Sequence, residues 1–203
     1  MNILHISVIL MTAVPFGLAA RTTDYLTAFG EGARELVRGV FEQDDDALAD
    51  AAALLGTADV EELPDVRFEE SSVGAVADPL LLFTPDFCRE YRRRHSELVP
   101  LNPLEGLRAT PGTVVTVTRS LAPGGTGTFT FTGSDAMCLM AVATAPGALE
   151  YTVVTSVGEM AAEVSDDGYT ASASWTFPPC EEDFSVRVEN TSFDPVTFVI
   201  GFE

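Results

Sequence analysis

"YTASASWTF" (169–177) alternates without a break: Tyr169, Ala171, Ala173, Trp175 and Phe177 fall on one side, and Thr170, Ser172, Ser174 and Thr176 on the other. A period of two over nine residues predicts a half-buried β-strand, because successive side chains of a strand point to opposite faces. "FSVRVEN" (184–190) repeats the pattern, with Phe184, Val186 and Val188 set against Ser185, Arg187 and Glu189. Working outward, six more segments have strand character: 113–121, 127–133, 136–144, 149–157, 159–164 and 196–202. Turn signals separate them, among them "APGGTG", "APGA", "SDDG", "FPPCEED" and "NTSFDP". Short strands joined by such turns pair antiparallel, which predicts a β-sandwich or jelly roll over 113–203. "AMCLMAVAT" (136–144) is apolar on both faces and should lie centrally in its sheet.

Before residue 100 the period changes. Tyr25, Phe29, Ala33, Leu36, Val37, Val40 and Phe41 recur at three- and four-residue steps, giving a helix with one apolar face, capped by Thr22 or Thr23. Asp44–Asp46 places acids at the positive end of a second helix that Gly56 stops, so the two form an αα-hairpin. A third helix starts at "TPDF" (84–87), with Thr84 as cap and Pro85 at the first helical position. The segment 57–83 is mixed and acidic, with "PLLLF" (79–83) either a strand or a plug against the core. The fold class expected is α+β: a helical region over 21–100, a Pro- and Gly-rich linker at 101–112, and the sandwich.

Residues 1–20 contain no Asp, Glu, Lys or Arg, and carry an apolar run from Ile6 to Met11 followed by "GLA" (17–19). That is the form of a secretory signal peptide, with a short N-terminal anchor as the alternative. No later segment is long and apolar enough to span a bilayer, so export to the periplasm or the outside is expected. The formal net charge is −20 and every one of the 11 cations is arginine. So acidic a surface argues against nucleic-acid binding. In an oxidising compartment the three cysteines allow one disulfide, and Cys138–Cys180 is favoured because both lie in the β-region, leaving Cys88 buried or paired between chains.

The chain's end, "FSVRVENTSFDPVTFVIGF" (184–202), runs from an aromatic-x-Val-x-Val strand through a polar turn to a final apolar strand. In this it resembles the β-sandwich modules of the bacterial pre-peptidase C-terminal type, over at most 112–203. The resemblance implies an accessory role in binding, secretion or attachment.

Chemistry-bearing residues are sparse. "CREYRRRH" (88–95) gathers four of the 11 arginines, and helical geometry sets Arg89, Arg92 and Arg93 opposite the apolar arc of Phe87, Cys88, Tyr91, His95 and Leu98. Two readings follow. The arginines clamp the helix to the protein's own carboxylates, with Glu90 in reach of Arg93 and Arg94, or they form a docking stripe for an anionic partner. Cys88 and His95 are too far apart along the helix, about 10 Å, for a thiolate–imidazole pair. No G-x-S-x-G elbow is present. No cofactor is expected; among metals, a structural calcium has the best case, from the oxygens of 44–46, 165–168, 181–183 and 190–194. "NTS" (190–192) is a formal glycosylation sequon. The function expected is that of an exported, acidic, non-enzymatic binding or assembly protein whose partner is a protein or envelope component. The alternatives are a carboxylate-dependent hydrolase on a jelly roll and a structural subunit of a cell-surface assembly.

Overall fold

Alternation at 170–176 and 184–190 becomes two strands in two different sheets packed face to face. In this computed structural model, which describes residues 19–63, 67–71, 80–95, 112–133, 136–176 and 182–203, the elements follow in chain order. They are α1 (Ala19–Phe41), α2 (Asp45–Leu55), β1 (Ala58–Glu62), β2 (Arg67–Ser71), a 3-10 turn (Leu81–Phe83), α3 (Pro85–His95), β3 (Gly112–Leu121), β4 (Thr126–Gly133), β5 (Ala136–Ala143), β6 (Leu149–Thr155), β7 (Gly158–Ala161), β8 (Glu163–Val164), β9 (Thr170–Thr176), β10 (Glu182–Asn190) and β11 (Val196–Phe202). The fold is α+β with a β-sandwich. One sheet, in the order β1-β3-β11-β5-β9-β8, carries the helices; the other runs β2-β4-β10-β6-β7. The expected signal peptide up to residue 18, the linker at 101–111 and Cys180 lie outside the described residues.

Two apolar layers hold this arrangement. Between the sheets lie Phe129, Leu139, Ala141, Tyr151, Val153, Phe184, Val186, Phe198, Ile200 and Phe202. Phe131 sits at 5.1 Å from Phe184 and 4.7 Å from Phe202, ring to ring, and so extends the aromatic part of that core. Between the first sheet and the helices lie Leu26, Phe29, Ala33, Leu36, Val37, Val114, Val142 and Val199, with Cys138 and Met140 packed against them. β5 therefore buries both faces, odd residues between the sheets and even residues under the helices. That accounts for its unbroken apolar sequence. β11 does the same, and all seven of its residues are buried.

Several expectations are corrected by the structure. α1 begins at Ala19, so Thr22 and Thr23 lie within the helix and are not its cap. Its last apolar residues, Val40 and Phe41, stay exposed. Segment 159–164 is two strands: β7 pairs with β6 in one sheet and β8 with β9 in the other. The crossover is at Ala162, which packs against the inter-sheet core while its N–H donates to the Tyr151 carbonyl. Segment 57–83 supplies two edge strands, β1 parallel to β3 and β2 antiparallel to β4, and Phe83 plugs the helix-side core. Other expectations are met. The Asp44 carboxylate caps α2 by accepting from the Asp46 and Ala47 N–H groups, and Thr84 Oγ1 accepts from Phe87 N–H at the start of α3.

Candidate binding groove

α3 stands over the edge of the helix-covered sheet. The 3-10 turn before it is tied to β3 by the Thr118 hydroxyl, which donates to the Phe83 carbonyl (3.1 Å). Tyr91 reaches the other way, its hydroxyl donating to the Leu48 carbonyl of α2; burial pushes that phenol up to about 12. Between α3 and the β1–β3 edge opens a groove of about 1160 Å³. Phe87, Tyr91, Leu81 and Pro85 supply its apolar lining, Thr84, Thr116 and Thr118 its hydroxyls, and Glu61, Glu62, Asp86, Arg89, Glu90, Arg94 and Arg119 its charges. The rings of Phe87 and Tyr91 stack at 5.8 Å. Leu81, 71% exposed, marks the rim.

The arginines of α3 make their described ion pairs with acids of the same helix. Arg89 pairs with Asp86. Arg93 grips Glu90 with two bonds of 2.8 Å, and Arg94 reaches the same carboxylate at 2.7 Å. Hydrogen bonds from Arg93 and then Arg94 hold the Glu90 carboxyl down at about 2. Arg89 and Arg94 line the groove; Arg93 does not, and of Arg92 the structure describes only the backbone, on α3. A clamp between elements is found on α1. Arg34 bridges Glu35 (2.5 Å) and Asp167 of the turn before β9 (2.8 Å), while Arg38 joins Glu35 (2.9 Å) to Asp44 (3.5 Å). Burial would raise the Asp167 carboxyl, but the Ser165 hydroxyl, the Tyr169 N–H and Arg34 together hold it below its ordinary value.

The remaining candidate residues have structural partners. Cys138 forms no disulfide in the structure, so the expected bridge to Cys180 is unmet. Cys138 faces the helix layer, where burial, and then the charge of Glu203, push its thiol up and away from the thiolate that disulfide exchange needs. Cys88 is buried, its Sγ 3.8 Å from the Leu82 carbonyl. Of the calcium candidates, Asp44 serves as a helix cap and Asp167 as the Arg34 partner; among the described residues no three ligands converge on a metal position. Asn190, the sequon asparagine, is fully buried, and its amide donates to the carbonyls of Leu121, Ala122 and Asp194. Glu61, Glu62, Thr116, Thr118 and Arg119 carry no sequence motif. They reach the groove because β1 lies beside β3, a pairing across about fifty residues of chain that no local pattern announces.

No protein-family model matches the chain, and no curated protein matches it. Among solved structures, the sandwich is similar to the pre-peptidase C-terminal domain of a collagenase from Bacillus anthracis. That likeness covers 44% of this chain and 89% of that one, at 13% identity and a TM-score of 0.38. A family GH115 4-O-methyl-α-glucuronidase with specificity for decorated arabinogalactans is similar over 42% of this chain and 14% of its own, at 13% identity and a TM-score of 0.28. The first is the module type that the pattern of 184–202 resembles.

Proposed function

We propose that the chain is an exported, acidic, non-catalytic recognition or assembly protein that takes a segment of a protein or envelope partner into the groove between α3 and the β1–β3 edge. The observation that carries this reading is the groove itself: a concavity of about 1160 Å³ lined by both apolar and charged side chains, with the exposed Leu81 among them. Export rests on the form of residues 1–20; among the described residues no helix is long and apolar enough to cross a membrane.

Of the alternatives, the carboxylate-dependent hydrolase finds little support in the groove. Its general acid would need a raised pKa, yet Glu90 is held at about 2 and Asp86 is paired with Arg89. The structural-subunit reading has one favourable observation, the exposed edge strand β7. β7 is only four residues long, and short edges are a means by which proteins prevent strand addition. The groove therefore takes precedence. A photo-crosslinking residue at Leu81, and in a parallel variant at Thr152 on the far sheet, tests it in the native host. A partner adduct from position 81 and none from 152 is expected; adducts from 152 alone, or from neither, would sink the reading.

A further inference from the structure

We draw no further inference here: the strongest candidate, the surface knob formed by Phe193, 97% exposed on the hydrogen-bonded turn between β10 and β11, carries nothing because nothing in the structure shows what covers it.

Discussion

Tyr151 and Asn190 show the two fates of a buried polar group. The Tyr151 hydroxyl lies in the inter-sheet core with no hydrogen-bond partner among the described residues, and burial drives its pKa far up. An unsatisfied buried hydroxyl costs about 1–3 kcal/mol. Tyr151→Phe, which keeps the ring 6.2 Å from Phe198, is therefore expected to leave stability unchanged or raise it by about 1 kcal/mol. A denaturant titration that shows a loss of that size would mean the hydroxyl is bonded after all. Asn190 is the opposite case, with every amide donor engaged. Expressed in a glycosylating host, the protein should show no glycan at Asn190 by intact mass, because a glycan on that nitrogen would eject it from three carbonyls. Asn190→Ala should cost about 2–3 kcal/mol in a melting experiment. At this scale the sequence showed the sequon but not its burial, since two of the three carbonyls it serves, those of Leu121 and Ala122, lie at the end of β3, about seventy residues earlier.

Between elements, α1 packs closely on β11. A Cβ on Gly201 would lie 2.9 Å from the Phe29 ring and from Val114 Cγ1. Alanine normally improves a strand, but Gly201→Ala should destabilise by about 1–3 kcal/mol, read as a lowered melting temperature; a rise would show that α1 does not rest on that strand. Arg34 and Asp167 pin the same helix, and their side chains are each about a third exposed (32% and 34%). A double-mutant cycle with Arg34→Gln and Asp167→Asn should give a coupling below about 1 kcal/mol. Because the Asp167 carboxyl is depressed in the folded state, that contribution is present above its unfolded value near pH 4 and is lost as pH falls through the folded one; a cycle that shows the coupling growing below pH 4 would contradict the assignment. Element types were largely legible: Asp44 and Thr84 marked helix starts, and strict alternation marked β9 and β10. The division of 159–164 was not, because a strand that changes sheets keeps its local extended character throughout.

Across the whole molecule, a net charge of −20 acts on a chain with 11 arginines and no lysine. Self-repulsion of that size opposes the compact state, and salt screens it over a Debye length of about 10 Å at 0.1 M. Melting temperature should therefore rise as sodium chloride is raised from about 0.05 to 0.5 M, while the few surface ion pairs contribute too little to reverse the trend; a steady fall would mean that those pairs dominate. The helical layer belongs to the same body, since Val114, Val142 and Val199 face it from the sheet. What the sequence by itself determined is local: period-two strands, three-to-four-residue helices, caps, turns and the sign of the surface, each set by neighbouring side chains and backbone geometry. The tertiary structure alone decided which arginines serve as a clamp, that β1 and β2 leave the helical region to edge the two sheets, and that a groove opens between α3 and β3. Those outcomes depend on contacts between residues dozens of positions apart, where burial of one face against another selects the partner and no local pattern encodes it.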